Sequence, residues 1–279
     1  MRLISYRDKQ GPTFGVVVDG GIVEAGRNMG FASLREALAA GALDEIRDAT
    51  MGVPPDVQEA DVKILPIIPN PEKILCAGRN YKDHVAEMGA KLPDNPTWFI
   101  KSHQTLVAHG EPLVKPDVSD CFDFEGEFTA IIGKPGRHIR ESEALDYVAG
   151  YTCFMDGSIR DYQKHSTMAG KNFHRTGPAG PYMVTTDELP DPTKLVITTR
   201  LNGEVVQHCG TDMLIFSLPR LISYISDVMP LTPGDLIATG SPSGSGAGRT
   251  PPLWMKVGDV IEVELSGVGV LRNPIAAEG

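Results

Sequence analysis

The segment Asp123-Phe124-Glu125-Gly126-Glu127-Phe128 places three carboxylates at alternating positions, just before the apolar run Ala130-Ile131-Ile132. In a β-strand, alternate side chains share one face, so Asp123, Glu125 and Glu127 would crowd together. Like charges this close raise one another's pKa unless a cation lies between them, and hard divalent ions prefer oxygen ligands. The spacing therefore favours a site for Mg²⁺, Mn²⁺ or Ca²⁺ over a zinc site. The alternative from spacing alone is a solvated acidic edge strand.

A fourth carboxylate, Asp156, lies where the strand-like segment ending in Phe154-Met155 runs into the turn Gly157-Ser158. A side chain at the end of a strand can complete an all-oxygen metal site. Taken alone, an aspartate in this position is more often a helix cap or a turn residue.

His84 and Glu87 are three residues apart in the helix-like segment from Tyr81 to Met88. Residues at this spacing share one helix face, and a carboxylate that holds one imidazole nitrogen leaves the other free as a base. Asn80 is expected to cap this helix and Gly89 to end it. The alternative is an exposed polar helix face.

Two further segments give weaker signals for a binding or catalytic role. Lys171, beside Gly170, could supply a positive charge to an enolate, although a surface lysine is the default interpretation. The Gly/Ser-rich segment 239–249 could bind a carboxylate through its amides, or could be a flexible surface loop. It matches no nucleotide-binding motif.

The composition excludes several classes of protein. The 279 residues are 41% hydrophobic and 22% charged, which is typical of a globular protein, and the net charge of −10 argues against a nucleic-acid partner. No apolar run reaches the roughly 18 residues of a membrane span, and no signal peptide is recognisable, so we expect a cytoplasmic protein. The four cysteines form no C-x-x-C pair and are expected to be free thiols.

The elements that must position these residues are mostly strands. The 30 glycines and 22 prolines favour many turns, and the strand signals do not alternate regularly with helices. We therefore predict a β-rich α+β fold, with a mixed or antiparallel β-roll or barrel and not a doubly wound sheet. Strands are predicted at 73–77, 97–101, 122–132, 151–156, 182–185, 195–201, 236–239 and 260–265, with a hairpin at Asn202-Gly203. Helices are predicted at 33–40, 81–88, 142–148 and 212–226.

Three prolines between Ile64 and Pro71 predict an extended connector. This divides the chain into a small N-terminal α/β domain at 1–65 and a larger, strand-rich domain at 71–279.

Together and in this order, the motifs resemble the fumarylacetoacetate hydrolase family over roughly residues 71–274. The segments that carry the resemblance are Gly78-Arg79-Asn80-Tyr81 with His84 and Glu87, Asp123-Phe124-Glu125-Gly126-Glu127, Tyr147-Val148-Ala149-Gly150-Tyr151, Asp156 with Arg160-Asp161 and Gln163, Gly170-Lys171, Gly180-Pro181, Asn202-Gly203-Glu204, and Pro233-Gly234-Asp235 leading to Thr239-Gly240-Ser241-Pro242.

The resemblance implies that residues 71–279 form a catalytic domain with a mixed β-roll core, and that the protein is a homodimer. It also implies a Mg²⁺ or Mn²⁺ ion held by Glu125, Glu127 and Asp156. It assigns His84 and Glu87 to a water-activating pair, on a segment that orders over substrate. The remaining residues that it implies are catalytic Lys171, facing the metal, and substrate-binding Arg79, Tyr81, Arg160, Gln163 and Ser241.

Two features depart from the family pattern. His174 stands where many relatives have Asp, which with Arg175 would add a basic pair near the pocket, and the loop 243–252 is richer in small residues than usual. Either the basic pair favours a substrate with an extra carboxylate, or it only changes packing.

The expected activity is metal-dependent hydrolysis of a C–C bond in a 2,4-dioxo acid of the acylpyruvate type, giving pyruvate and a carboxylic acid. Alternatives on the same metal and enolate chemistry are decarboxylation of oxaloacetate, hydration of 2-oxo-alkenoates and keto–enol isomerisation. An alternative of another class is a non-catalytic binding protein that retains the fold.

Overall fold

The computed structural model describes residues 1–87, 89 and 91–279. In these residues the helices are α1 (Leu34–Ala39), α2 (Leu43–Thr50), α3 (Lys82–Glu87), α4 (Arg160–Gln163), α5 (Thr167–Lys171) and α6 (Leu218–Val228). The strands are β1 (Arg2–Asp8), β2 (Gly11–Val18), β3 (Gly21–Glu24), β4 (Val57–Gln58), β5 (Lys63–Ile64), β6 (Ile74–Gly78), β7 (Thr97–Lys101), β8 (Leu106–Val107), β9 (Leu113–Lys115), β10 (Phe122–Asp123), β11 (Gly126–Ile132), β12 (Val148–Met155), β13 (Ser158–Ile159), β14 (Gly177–Thr185), β15 (Val196–Leu201), β16 (Glu204–Gly210), β17 (Leu236–Ala238), β18 (Val260–Leu265) and β19 (Gly269–Ala277).

Two open sheets form the scaffold. The larger has the strand order β4-β3-β2-β1-β14-β12-β11-β17-β6-β7, and the smaller has the order β16-β15-β18-β19-β9. Most neighbours are antiparallel, whereas β6 with β17, β8 with β14 and β9 with β19 are parallel. The prediction of a β-rich, mixed α+β fold is confirmed, and over the described residues neither sheet closes into a barrel.

The main core lies between the two sheets. Phe128 and Ala130 of β11 pack with Ile197 of β15, Val263 of β18 and other buried apolar side chains. Each large side chain buried in this way contributes about 1.5–3 kcal/mol relative to exposure. The sheets therefore hold β11 and β12, which carry or border the candidate metal ligands, in a fixed register.

The first strands continue the larger sheet. β1 pairs with β14, with Leu3 opposite Met183, and a second core joins Leu3 and Phe14 to Ile131 and Phe154. The predicted connector at 64–71 has no regular structure beyond β5, and its Ile67 is fully buried. The domain boundary stays a prediction, since the two parts share a sheet and a core.

Several predicted boundaries were wrong. The strand predicted at 122–132 divides into β10 and β11, because the Asp123 side chain accepts the Phe124 amide and Gln207 accepts the Gly126 amide, and both bonds interrupt regular pairing. The helix predicted at 212–226 begins only at Leu218, where Ser217 caps it and a proline occupies its first turn. The segment predicted as a helix at 142–148 forms a 3₁₀-helix over Glu141–Tyr147.

Other local predictions were confirmed. The helix predicted at 33–40 is α1, whose N-cap Ser33 accepts the amide of Glu36, and the predicted hairpin at Asn202-Gly203 connects β15 to β16 with both residues at positive φ. The predicted helix from Tyr81 is α3, and Gly89 at φ 60° follows it; Met88, its predicted last residue, lies outside the described residues. Among the helices described, none has the length and apolar character needed to cross a membrane.

Candidate functional site

Three carboxylates meet at one end of the β11–β12 pair. One ligand oxygen from each of Glu125, Glu127 and Asp156 lies within 4.8 Å of the others, and all three residues are buried. Antiparallel pairing of Gly126 with Met155 brings the start of β11 beside the end of β12. The structure thus assembles the ligand set that the sequence implied, here called the acidic triad.

Two lysines neutralise part of the acidic triad. The Nζ of Lys171 donates to Glu125 and, at 2.7 Å, to Asp156, while the Nζ of Lys101 donates to the other oxygen of Asp156 at 2.7 Å. Burial alone would lower the pKa of Lys171, but Asp156 and Glu125 raise it above its usual value. Lys171 therefore stays an ammonium group inside the site.

Arg160 lies between two acidic residues. Its Nε donates to Asp123 at 2.6 Å, and its Nη2 donates to Glu125. Burial alone would raise the pKa of Glu125, yet Arg160 and Lys171 hold it below its usual range. Asp123 therefore does not join the acidic triad, which corrects the expectation that Asp123, Glu125 and Glu127 form one cluster.

Glu127 differs from its neighbours in its partners. One of its oxygens accepts the Gly240 amide at 2.9 Å, and within the described residues it forms no ion pair. Burial, with the nearby charges of Asp156 and Glu125, raises its pKa well above its usual range. A buried carboxylate that lacks a cation, next to two further carboxylates, fits a hard divalent ion bound through oxygen.

The His84–Glu87 pair covers the site from α3. The Nδ1 of His84 lies 3.0 Å from Glu87 Oε2, and the other Glu87 oxygen accepts the Gly244 amide at 2.9 Å. His84 is nearly buried and lines the cavity, so its Nε2 is the nitrogen left to act on a substrate.

The cavity above the acidic triad has a volume of about 760 Å³. Its polar lining includes Arg160, Gln163 and Ser241, with Arg79 and Lys164 nearer the exposed mouth, and Trp98, Phe99 and Met168 form an apolar side. The size falls within the range of small-molecule sites.

The sequence and the fold are similar to those of known proteins. A model of the fumarylacetoacetate hydrolase C-terminal domain matches residues 73–276. The chain belongs to the fumarylacetoacetate hydrolase family. It is 42% identical over 223 residues to the oxaloacetate tautomerase YisK of Bacillus subtilis, covering 77% of this chain and 74% of that one. It is 38% identical over 223 residues to the mitochondrial oxaloacetate tautomerase fahd2 of Xenopus laevis, covering 78% and 70%.

Solved structures of the family share the whole fold. The maleylpyruvate hydrolase of Sphingobium sp. SYK-6, in complex with manganese(II) and pyruvate, is similar over the full length of both chains with a TM-score of 0.84 and 27% identity. The fumarylacetoacetate hydrolase of Exiguobacterium antarcticum has a TM-score of 0.85 and 30% identity, also over both full chains. A divalent-metal site in the family is thus supported by a relative with manganese and by the acidic triad.

Tyr81, which was expected to bind substrate, does not line the cavity, and Asn80, which was expected to cap α3, has other partners. Tyr81 is buried, with its hydroxyl unpartnered among the described residues, because the backbone at this position bridges to Leu214 and draws the ring into the core. Asn80 does not cap α3: its side-chain amide donates to Phe216 and Thr239, and its oxygen accepts the Phe216 amide.

The expected basic pair near the pocket is also absent from the cavity lining. His174 is exposed, and Arg175 turns toward Glu111 and the carbonyl of Pro112. This departure from the family pattern therefore changes surface contacts and not the charge of the cavity.

Sequence reasoning missed Lys101 and Gln207. Lys101 ends the largely apolar strand β7, and a charge at the end of such a strand was the available signal. Gln207 bridges the Gly126 amide to the Ser241 hydroxyl from β16, and nothing in its local sequence indicates this role.

Proposed function

We propose that this protein catalyses the keto–enol tautomerisation of a small 2-oxo diacid, with oxaloacetate as the first candidate, and that Mg²⁺ or Mn²⁺ occupies the acidic triad. The observation that carries the proposal is a cavity in which the acidic triad, Lys171 and His84 share one lining. The two tautomerases named above match more than two thirds of this chain, and they support this reaction over the hydrolysis favoured by the sequence.

A divalent ion held by Glu125, Glu127 and Asp156 would supply positive charge beside the oxygen on which negative charge develops during enolisation. Lys171 adds a fixed ammonium at the same place, because Glu125 and Asp156 hold its Nζ. Fixed charges that match the transition state need no reorganisation during the reaction.

His84 is the group proposed to move the proton. Ketonisation removes the hydroxyl proton at C2 of the enol and adds a proton to C3, so it needs a group that both accepts and donates. The imidazole can do this at Nε2 while Glu87 holds Nδ1.

The cations at the mouth fit a substrate with a second carboxylate. Arg79 and Lys164 line the cavity, and neither forms an ion pair within the part of the chain that the structure describes. Deeper in the cavity, Arg160 donates to Gln163 and so presents a polar edge to one end of the substrate. Oxaloacetate offers a carboxylate at each end.

Hydrolysis of an acylpyruvate is the second candidate. The observation that favours it is the His84–Glu87 pair, because an oriented imidazole can also activate water. The maleylpyruvate hydrolase that shares the fold supports this alternative.

One panel of assays separates the candidates. The loss of ultraviolet absorbance of enol-oxaloacetate measures tautomerisation, and a coupled lactate dehydrogenase measures pyruvate released from oxaloacetate or from acylpyruvates, each with Mg²⁺ and with EDTA. The proposal predicts Mg²⁺-dependent enol loss that exceeds pyruvate release from every substrate.

If pyruvate release from an acylpyruvate is faster than the loss of enol-oxaloacetate, the protein is a hydrolase. If pyruvate release from oxaloacetate is faster than that loss, it is a decarboxylase. If no substrate turns over and Mg²⁺ with oxalate leaves the melting temperature unchanged, a binding role replaces the enzyme.

A further inference from the structure

The glycine loop, defined as residues 243–249, binds two acidic side chains through its own amides. The Gly244 amide donates to Glu87 at 2.9 Å. The amides of Gly246 and Ala247 donate to the two oxygens of Asp123 at 2.7 and 3.1 Å. The loop thus connects the His84–Glu87 pair on one side with Asp123 on the other.

The loop is fixed in place and has little room for side chains. Arg249 donates to the carbonyls of Gly244 and Val206, at distances from 2.8 to 3.1 Å. A Cβ on Gly246 would lie 1.8 Å from the Leu253 carbonyl, and one on Gly248 would lie 2.4 Å from the Glu87 carboxyl carbon. Side chains at these two positions would displace the loop or Glu87.

Asp123 ties the loop to the base of the site. Its carboxylate accepts four donors: the amides of Phe124, Gly246 and Ala247, and the Nε of Arg160 at 2.6 Å. Arg160 in turn binds Glu125 of the acidic triad. A continuous series of hydrogen bonds therefore runs from a candidate metal ligand, through Arg160, Asp123 and the loop, to Glu87 and His84.

We propose that the glycine loop is the template that sets the position of His84 over the acidic triad, with Asp123 and Glu87 as positioning residues at its two ends. Neither acts on the substrate directly. The loop keeps Glu87 in place, and Glu87 keeps the ring of His84 turned so that Nε2 faces the cavity.

The first test replaces Asp123 by Asn, which has the same shape. The single amide oxygen of Asn can accept hydrogen bonds from only some of the four donors. The NH₂ group of Asn cannot accept a hydrogen bond and would face the remaining donors. Hydrogen exchange of the peptide 243–249, measured by mass spectrometry, should be about tenfold faster than in the wild type. Because misplacement of a catalytic group by about 1 Å costs rate, kcat should fall by about tenfold to a hundredfold with little change in KM.

The second test approaches the loop from its other end. Gly248→Ala places a methyl group against the flexible side chain of Glu87 and leaves Asp123 untouched, so folding should be preserved while kcat falls. Asp235→Asn is the matched control: Asp235 is a buried aspartate that accepts the backbone amides of Lys73 and Thr232, outside the series of hydrogen bonds. It should cost stability and leave both kcat and exchange of the loop unchanged.

The kinetic effects depend on the proposed function, so the same proteins are also titrated with Mn²⁺ by electron paramagnetic resonance. The dissociation constant of Mn²⁺ should stay within about threefold in both variants, since no candidate ligand is altered. If the wild-type protein is inactive but hydrogen exchange of the loop is faster in Asp123→Asn, the proposed function is wrong. The proposed role of the glycine loop as a template is then still supported.

Unchanged loop exchange in Asp123→Asn, or full kcat in Gly248→Ala, would overturn the template. If Asp123→Asn lowers the affinity for Mn²⁺ together with kcat, Asp123 supports the metal ligands and does not act through the glycine loop. If Asp123→Asn does not fold, the kcat of Gly248→Ala decides.

Discussion

Glu127 is placed where it costs stability and serves the site. It is buried, it has one backbone amide as partner, and its pKa is raised well above the usual range because burial and two acidic neighbours disfavour its charge. A protein selected for stability alone would not bury such a group beside Asp156 and Glu125. The cost is offset when a divalent ion binds.

Replacing Glu127 by Gln should therefore separate stability from metal binding. The amide oxygen can still accept the Gly240 amide, so the metal-free variant should gain about 1–3 kcal/mol in the free energy of unfolding. Mn²⁺ at a hundredfold excess over its dissociation constant should stabilise the wild type by about 2.7 kcal/mol and the variant much less. Denaturant titrations with EDTA and with Mn²⁺ measure both effects, and a metal-free variant less stable than the wild type would contradict this account.

Replacing Lys171 should lower the turnover number without weakening metal binding. Lys171→Met removes a positive charge that contacts Glu125 and Asp156, so Mn²⁺ should bind at least as tightly as to the wild type. The turnover number should fall by about 10²–10³, the usual loss for one fixed group that stabilises developing charge. Weaker Mn²⁺ binding together with the lower rate would show that Lys171 mainly supports the ligands.

The sequence predicted the residues of the site better than their contacts. Strand alternation grouped Glu125 and Glu127 with Asp123, and the end of a strand offered Asp156 as a further oxygen ligand. The resemblance to the family then implied the set of Glu125, Glu127 and Asp156. Lys101 was missed. A charge at the end of the apolar strand β7 was a signal, but its partners, Asp156 and the backbone of residues 157 and 171, are distant in sequence.

At the scale of elements, Asn80 fixes the connection between β6 and α3. Its three hydrogen bonds reach the backbone of Phe216 and Thr239, which lie far away in sequence. They hold the start of α3, and hence His84, against the sheet that carries the acidic triad.

Asn80→Ala should lower the free energy of unfolding by about 2–4 kcal/mol, because it leaves buried backbone groups without partners. Asn28→Ala is the matched control, since Asn28 is exposed and its side chain forms, among the described residues, a single hydrogen bond, to the carbonyl of Glu24. This change should cost less than about 1 kcal/mol. Chemical denaturation measures both, and equal effects would mean that Asn80 is not an anchor.

Elements were predicted well where the local pattern and the tertiary contacts agree. Strands β7 and β18 have the predicted ends, and the helix predicted at 33–40 is α1, within one residue at each end. The break between β10 and β11 was missed, because Gln207 and Asp123 determine it by bonds that periodicity does not record.

At the scale of the whole molecule, the N-terminal strands and the segment that carries the site share one sheet and one core. Leu3 and Phe14 share a core with Ile131 and Phe154, and β1 pairs with β14. Proline spacing suggested a boundary at 64–71, but it could not reveal that the sheet continues across it.

Calorimetry should therefore record one unfolding transition for the full chain. Deleting residues 1–65 should expose the apolar face of β14 and β11 and give a protein that does not fold. Two separate transitions, or a folded and active truncated protein, would support two independent domains.

The homodimer and the cytoplasmic location also remain predictions. Light scattering of the same sample tests the homodimer.

The most direct measurement is the initial rate of enol-oxaloacetate loss, followed by ultraviolet absorbance for the wild type with Mg²⁺, the wild type with EDTA, and His84→Gln with Mg²⁺. The proposed chemistry needs both the acidic triad with its ion and a proton carrier at Nε2 of His84. We predict rapid loss in the first sample and a rate near the uncatalysed background in the other two. A rate with EDTA or in His84→Gln equal to that of the Mg²⁺-loaded wild type would contradict the account.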